Sequence, residues 1–252
     1  MTKLNSALAA TLGAALLLFS AGAKADLITN GSFETTTGYG QIGWNGNTLN
    51  GWTTNGYNFL FPSTGGSVNG SAGSLSLYTG SGVVGSALLG PSPDGGNYIG
   101  ADGAFEVGAI NQTINGLVSG AQYTVSFYWG GAQQTNFSGT TTEKWLVSLG
   151  SQTLSTNTVT DVSNGFTGWQ QTFLTFTATG NSEVLSFLAQ GTPDGQPPFS
   201  LLDGVSMNAV PEPASMTLLG TGLAALGLVR RRRQAEAGLI PLAHIRPNAL
   251  LA

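Results

Sequence analysis

The sequence predicts an all-β domain, a β-sandwich of the jelly-roll type, and two observations lead to this prediction. Bulky side chains occupy every second position across residues 123–129, which is the period of a strand with one buried face. Turns rich in Gly, Asn, Ser and Pro separate such runs, and no central segment keeps a helical period over three turns. Short strands between such turns are typical of sandwiches and jelly rolls. Further strand-like runs cover residues 145–149, 170–178, 184–189 and 201–207.

Charged residues are scarce in this chain of 252 residues, at 8 %, whereas glycines number 38 and the net charge is −4. An ordinary soluble domain is about a quarter charged, so the composition is typical of an exported β protein. Cysteine is absent, which excludes disulfide scaffolds, zinc–thiolate sites and thiol nucleophiles. Any signal for export must therefore lie in the two ends of the chain.

Residues 1–25 have the organisation of a secretory signal peptide. Lys3 supplies a positive start, residues 7–19 form an apolar run, and Ala23-Lys24-Ala25 offers the small residues that a signal peptidase reads. A buried N-terminal helix or a retained anchor is the alternative, but the apolar run is short for a membrane span. We therefore expect cleavage after Ala25 and a mature chain that begins at Asp26.

A second targeting segment, which we call the C-terminal label, covers residues 210–233. An uncharged apolar run, residues 214–229, follows a pair of prolines and precedes a cluster of arginines. Prolines stop preceding structure from continuing into a helix, and a basic cluster beside an apolar helix lies on the cytoplasmic side of a membrane. The pattern predicts a transmembrane sorting helix, although the run is short for a span. The residues that define this label are Pro211, Glu212, Pro213, Arg230, Arg231, Arg232 and Arg233.

The order and spacing of these residues resemble the PEP-CTERM sorting signal of Gram-negative bacteria. The resemblance implies processing by an exosortase, transient anchorage in the inner membrane, and delivery to the cell surface or extracellular matrix. It also implies a host that makes exopolysaccharide. The chain departs from the family in one respect. Such chains end soon after the basic cluster, whereas residues 234–252 continue beyond it and are expected to be disordered.

Between the two labels, residues 26–209 are expected to form a single domain. It contains ten acidic side chains and one basic side chain, Lys144, which leaves nine net negative charges. A nucleic-acid-binding domain needs a basic surface, and phosphate binding needs arginine or a lysine-bearing glycine loop. The composition therefore excludes nucleic acid as a partner and favours cations.

Landmarks of a known fold occur in order along this domain. It opens with the strand-like segment Leu27-Ile-Thr-Asn-Gly-Ser-Phe-Glu34, Trp52 follows in a Gly-Trp-Thr step, and Leu202-Asp-Gly-Val205 closes it. This order resembles the galactose-binding-like jelly roll of many carbohydrate-binding modules. The resemblance implies that the domain binds carbohydrate and that its first and last strands lie together.

The same resemblance implies a structural calcium ion where those two strands meet, held by Glu34 and Asp203. Calcium takes six to eight oxygen ligands, and carbonyls in glycine-rich turns supply those that carboxylates do not. The alternative is that both side chains cap turns or face solvent. If the site exists, Glu34→Gln or Asp203→Asn should remove the calcium response, whereas Glu143→Gln, outside the motif, should keep it.

Catalysis is not expected of this domain. It has neither His nor Cys, which excludes Ser-His-Asp and Cys-His constellations. A pair of carboxylates could still hydrolyse glycosides, but four of the acids stand before glycine in predicted turns, where the side chain organises the backbone. The sequence therefore favours a binding protein over an enzyme.

Sugar recognition combines aromatic platforms with amide and carboxylate hydrogen bonds. An aromatic residue beside a strand is more often core than platform, so Trp52, Trp145 and Trp169 are expected in the core. Two functions stay open: a surface or matrix module that associates with exopolysaccharide, and a structural, adhesive or protein-binding component without a sugar site. The candidate ligand-binding residues are Trp44, Tyr57, Trp129, Gln133 and Gln134.

Overall fold

A computed structural model describes residues 26–78, 92–211 and 214–237 of the chain. The predicted signal peptide with its cleavage site at Ala25, part of the glycine-rich segment (79–91) and residues 238–252 lie outside the described residues. The chain divides into two compact units, of which the first ends at Val210 and the second begins at Pro211.

The first unit is built from β-strands. In chain order, the described strands are β1 (Gly40–Gln41), β2 (Thr53–Thr54), β3 (Asn58–Phe61), β4 (Val68–Gly70), β5 (Gly73–Leu75), β6 (Tyr98–Asp102), β7 (Ile110–Asn115), β8 (Gln122–Gln133), β9 (Thr141–Leu149), β10 (Gln152–Ser155), β11 (Val159–Asp161), β12 (Gln170–Thr177), β13 (Ser182–Thr192) and β14 (Pro198–Ala209).

These strands form two antiparallel sheets and a hairpin. The first sheet has the strand order β1-β3-β6-β14-β8-β12. The second has the order β10-β9-β13-β7-β2, with β11 also paired to β9, and β4 pairs with β5 alone. This architecture confirms the predicted all-β sandwich.

The main core lies between the two sheets. On β9 every second residue is buried, so one face of the strand points inward and the other faces outward. Trp145 on that inward face is fully buried, and its indole N–H donates a hydrogen bond to the Leu201 carbonyl at 2.9 Å. Trp52 is buried in the same core, as the sequence predicts.

A second aromatic cluster lies on the other face of the first sheet. Leu60 packs in the main core, whereas its neighbours Phe59 and Phe61 belong to this second cluster, because successive side chains on a strand point to opposite faces. The β4–β5 hairpin supplies buried apolar residues to it. This hairpin, which belongs to the glycine- and serine-rich stretch 65–90, therefore covers part of the first sheet. Trp169, expected in the core, is only half-buried and packs against this cluster.

The strands predicted from alternation are found, but the opening segment differs. Residues 26–39 contain no described strand, and Leu27 joins β14 by a backbone hydrogen bond from its N–H to the Met207 carbonyl at 3.1 Å. The reason is local: Asn30 and Phe33 both have positive φ angles, 55° and 57°, which turn the chain instead of extending it. The opening motif is thus a turn that packs on the last strand.

The second unit contains one described helix, α1 (Ala214–Ala237). It begins after the two prolines, as predicted, and continues through the arginine cluster. Residues 234–237, predicted to be disordered, are helical, which fits their composition of good helix formers. As for the predicted transmembrane span, no helix in the described residues is both long enough and apolar enough to cross a membrane.

Candidate functional site

Several loops converge at one end of the sandwich. β6 and β8 both end there, because their last residues pair with the first residues of β14: Asp102 with Phe199, and Gln133 with Pro198. β13 also ends there, since a short loop leads from it into β14. The loops that follow β6, β8 and β13 are therefore neighbours in space.

These loops surround a cleft of about 290 Å³. Three aromatic side chains line it, and two of them are accessible: Phe105 is 44 % exposed and Phe137 is 36 % exposed. Tyr57 lies behind Phe105 in an edge-to-face contact, with ring centroids 5.1 Å apart. The polar and small residues of the lining include Ala72, Asp102, Ala104, Gln134, Asp194 and Pro197.

Asp102 is held rigidly at the edge of this cleft. Its Oδ1 atom accepts hydrogen bonds from the backbone N–H groups of Ala104 (2.8 Å) and Phe105 (3.0 Å), whereas its Oδ2 atom has no partner. Burial and, to a smaller extent, the charge of Asp194 raise the pKa of this carboxyl to about 6, although the two backbone hydrogen bonds lower it. The cleft therefore combines a fixed carboxylate, a second acid and accessible aromatic rings.

Two of the predicted ligand-binding residues, Tyr57 and Gln134, line the cleft. Trp44 lies elsewhere, in a turn between Gly43 and Asn45, and is 36 % exposed. Whether any of the three contacts a ligand stays a prediction.

The structure corrects the other two predicted ligand residues, Trp129 and Gln133. Both are buried, and the Trp129 indole N–H donates to the Thr172 hydroxyl at 2.8 Å. Gly130 and Gly131 lie between them, and β8 continues through both glycines. Glycine is required at these positions because close neighbours leave no room for a side chain: a Cβ at Gly130 would lie 2.5 Å from the Gly168 carbonyl oxygen.

The sequence did not predict the aromatic and acidic residues that line the cleft, namely Phe105, Phe137, Asp102 and Asp194. Phe105 and Phe137 lie in loops, where no periodicity marks a side chain as exposed or buried. Asp102 was read as an ordinary turn acid, and its backbone hydrogen bonds agree with that reading. A useful signal would have been an isolated aromatic residue flanked by small and polar residues, as in Gly103-Ala104-Phe105.

The predicted calcium ligands lie where the opening turn meets the last strand. The Gly31 carbonyl accepts a hydrogen bond from the Val205 N–H at 3.0 Å, which brings the two motifs together. Glu34 accepts a 2.6 Å hydrogen bond from the Asn97 N–H at Oε1, and a Cβ at Gly96 would overlap that oxygen. The backbone around Glu34 is thus shaped to the carboxylate.

Asp203 faces the same region and is fully buried. Neither of its carboxylate oxygens has a hydrogen-bond partner, although a buried charge without one is strongly destabilising. Burial raises its pKa to about 7, and the charges of Asp94 and Glu34 contribute. Two further acids are therefore close enough to influence this buried carboxylate, whose pKa the Ser92 hydroxyl and the Gly204 N–H lower.

This environment fits a calcium ion. A divalent cation would satisfy both Asp203 oxygens and offset the repulsion from Glu34 and Asp94. Within the described ranges, no three His, Cys, Asp or Glu side chains are close enough to hold a metal ion by themselves. The remaining ligands would therefore be backbone carbonyls and the hydroxyl of Ser92, which approaches Asp203.

The raised pKa of Asp203 predicts an unusual pH dependence for the metal-free protein. The Asp203 carboxyl binds its proton more tightly in the folded protein (pKa about 7) than in its usual range near 3.8. Protonation of Asp203 therefore stabilises the folded state fully below about pH 4, and this stabilisation is lost as the pH rises towards 7. In a chelating buffer we expect the melting temperature at pH 8 to lie at least about 2–4 °C below that at pH 5, the shift that accompanies about 1 kcal/mol.

Melting curves of Asp203→Asn and of the exposed control Glu106→Gln test this assignment. The Asp203→Asn protein should lose part of the pH dependence, and the control should keep all of it. Equal pH dependence in the two variants would contradict the role given to Asp203.

The C-terminal label matches a known sorting family. Residues 209–233 match the PEP-CTERM protein-sorting motif, as the sequence predicts. The motif indicates that the chain is exported and processed by an exosortase. No curated protein matches the chain.

Solved structures with a similar fold include carbohydrate-binding modules. One is TmCBM61 in complex with beta-1,4-galactotriose, which is 14 % identical over 74 % of this chain and 100 % of that chain, with a TM-score of 0.41. A second is the CBM22-1 xylan-binding domain from Paenibacillus barcinonensis Xyn10C, at 15 % identity over 77 % and 100 %, with a TM-score of 0.40. A third is the K1 cleaved adhesin domain of Lys-gingipain from Porphyromonas gingivalis W83, at 12 % identity over 71 % and 96 %, with a TM-score of 0.42.

Proposed function

We propose that this chain is a non-catalytic protein of the cell surface or matrix whose β-sandwich binds polysaccharide in the cleft at Phe105 and Phe137. The observation that supports the proposal is the pairing of accessible aromatic rings with carboxylates in one concave site. Aromatic faces pack against the apolar faces of sugar rings, and carboxylates accept hydrogen bonds from hydroxyl groups.

The charges of the cleft favour an uncharged sugar. Asp102 and Asp194 both line it, and the only base of residues 26–209 is Lys144, which is not among its lining residues. An acidic polysaccharide would meet like charge, which opposes binding. The ligand class is therefore a neutral exopolysaccharide, with the exposed Asp194 accepting a hydrogen bond from a sugar hydroxyl.

Two further parts of the proposal concern calcium and sorting. A calcium ion at Glu34 and Asp203 would join the opening turn to the last strand, which stabilises the domain without a disulfide. The C-terminal label would hold the protein transiently in the inner membrane until the exosortase acts near Pro213. The absence of His, Cys and Arg from residues 26–209 supports a binding role over a catalytic one.

A second function, adhesion through protein contacts, is favoured by a different surface. Tyr39 is 49 % exposed and Trp44 36 % exposed, and neither lines the cleft. The Asn47 amide donates to the Tyr39 carbonyl at 2.8 Å, so the two aromatic residues share one ordered turn. Exposed aromatic residues are enriched in protein interfaces.

A glycan array followed by titration against the best-bound neutral glycan tests the proposal. We expect Phe137→Ala to weaken binding about tenfold, that is by about 1.4 kcal/mol, because it removes one accessible ring of the cleft. Phe173→Ala is the matched control, since Phe173 is 62 % exposed on β12 and does not line the cleft.

Three results would argue against the proposal. Equal loss in Phe137→Ala and Phe173→Ala would show that the cleft is not the binding site. An array without any bound glycan would favour the adhesive function. Release of reducing ends from a bound glycan, abolished by Asp102→Asn, would reveal an enzyme.

A further inference from the structure

A second buried carboxylate lies inside the same end of the sandwich. Glu143 occupies the inward face of β9, with Thr141 two residues before it and Trp145 two residues after it. It is fully buried. Opposite it, on β8, stands Gly131, where a Cβ would lie 2.5 Å from Glu143 Oε2. A glycine on the facing sheet therefore makes room for the carboxylate.

Two further oxygen-bearing side chains share this inward face. Asp161, the last residue of β11, pairs directly with Thr141 across the ladder, so both residues project to the same side as Glu143. Asp161 is 1 % exposed and Thr141 is fully buried. A Cβ at Gly165 would overlap Asp161 Oδ1 and would lie 2.6 Å from the Val162 carbonyl oxygen, so that carbonyl lies on the same side of Gly165 as the carboxylate.

Four oxygen atoms of this cluster have no hydrogen-bond partner in the protein. Both oxygens of Glu143, the hydroxyl of Thr141 and Oδ2 of Asp161 lack a hydrogen-bond partner. Neutralisation by a basic residue is not available locally, because Lys144 is the only base of residues 26–209 and projects from the opposite face of β9. Two adjacent carboxyls thus lie in an apolar interior without a counter-charge.

We propose that Glu143, Asp161 and Thr141 form a site for a divalent cation of the calcium type, separate from the site at Glu34 and Asp203. A cation of this type takes six to eight oxygen ligands, so it would engage several of these unpartnered atoms together. The Val162 carbonyl is a further ligand of the same chemistry. A proton shared by the two carboxyls would form one hydrogen bond and leave other oxygens of the cluster without a donor.

The electrostatics of the cluster agree with this reading. Burial and, to a smaller extent, the charge of Asp161 raise the pKa of Glu143 to about 8, although the nearby Thr141 hydroxyl lowers it. The pKa of Asp161 is raised to about 7 by burial. A bound divalent cation would reverse these shifts, because it favours the ionised form of both groups.

The cation site is connected to the loops of the cleft. Gln133 links the segment after β11 to the β8–β9 loop: its Oε1 accepts from the Asn164 N–H at 2.7 Å, and its Nε2 donates to the Gly139 carbonyl at 3.0 Å. The Gly139 N–H in turn donates to the Ser163 hydroxyl at 2.8 Å. The β8–β9 loop carries Phe137, so a cation at Asp161 would order a wall of the cleft.

Calcium titration of the purified full-length chain, after chelator treatment, tests this proposal. Bound calcium per chain, measured by native mass spectrometry, should fall by one ion in Glu143→Gln relative to the wild type. Asp203→Asn should keep the ion at Glu143, and adding Glu143→Gln to that variant should remove it. Glu106→Gln, an exposed acid of the same domain, should leave the count unchanged.

Melting curves separate a cation from a shared proton. In chelator at a pH above 8, where both carboxyls are ionised, Glu143→Gln should melt higher than the wild type, because it removes a buried like-charge pair. Added calcium should raise the melting temperature of Glu143→Gln less than that of the wild type. Thr141→Val, which keeps the shape and both charges, should weaken the calcium response. Hydrogen exchange of residues 134–140 should slow with calcium in the wild type and not in Glu143→Gln.

The outcomes are distinct for each site. If Glu143→Gln and Thr141→Val bind as much calcium as the wild type, the proposal is overturned and the pair shares a proton. If calcium is lost in Glu143→Gln but not in Asp203→Asn, the inference stands and the site at Glu34 and Asp203 fails. If calcium binds at Glu143 but exchange of residues 134–140 does not change, the connection to the cleft is wrong.

Discussion

Chelation of calcium is expected to lower the melting temperature of this protein by about 5–11 °C. An ion that binds only the folded state stabilises it by about 2.7 kcal/mol at a hundredfold excess over its dissociation constant. For a domain of this size, about 1 kcal/mol corresponds to about 2–4 °C. We assign this effect to Asp203, which is fully buried and lies near the charges of Asp94 and Glu34.

Glu34→Gln and Asp203→Asn should each reduce this calcium response and leave the strands intact, as circular dichroism in chelator would show. The control must avoid Glu143, which from the sequence alone is a neutral choice but in the structure is a buried member of another acidic cluster. Glu106→Gln is the appropriate control, because Glu106 is exposed. If the melting temperature of the wild type were the same in calcium and in chelator, the site would be ruled out.

Deletion of residues 214–252 is expected to release the domain into the medium. The first compact unit ends at Val210, so the deletion leaves all its strands in place, whereas it removes most of the region that matches the sorting motif. Cell fractionation followed by immunoblotting would measure the change. Replacement of Arg230–Arg233 by glutamine should also disturb retention or processing, since these residues belong to the same motif.

A shorter deletion, residues 238–252, provides the matched control. It removes the extension beyond α1 and leaves the motif at 209–233 whole, so the protein should fractionate like the wild type. The sorting role would be wrong if the long deletion, the arginine replacement and this control all fractionated alike.

The strands were predictable from the sequence because alternation records burial directly. β8 and β9 place every second residue inward over much of their length, and that pattern can be read without coordinates. The opening turn was harder: Asn30 and Phe33 adopt positive φ, and no local pattern identifies a buried phenylalanine in that conformation. The motif was recognised by resemblance, whereas its shape was not.

The candidate site was predictable only in part, because a glycine pair can indicate either a turn or a close contact within a strand. Gly130 and Gly131 look like a turn, but they allow close approach within β8, to the Gly168 carbonyl and to Glu143. Trp129 and Gln133 lie on either side of these glycines in the same strand and are buried. The cleft itself depends on loops brought together by the sandwich, and their proximity follows from the pairing of β14 with β6 and β8, which one sequence does not reveal.

The position of β14 has a mechanical consequence for a tethered protein. The cleft lies at the start of this strand, near Pro198, and the chain leaves towards the sorting helix from its other end, where the Val210 N–H is bonded to the Gln122 carbonyl at 2.8 Å. β14 has a hydrogen-bonded neighbour along each edge. If the cleft holds a ligand while the tail is anchored, as proposed, tension would run along this strand and load its hydrogen bonds in shear, so many bonds would have to break together before the domain unfolds.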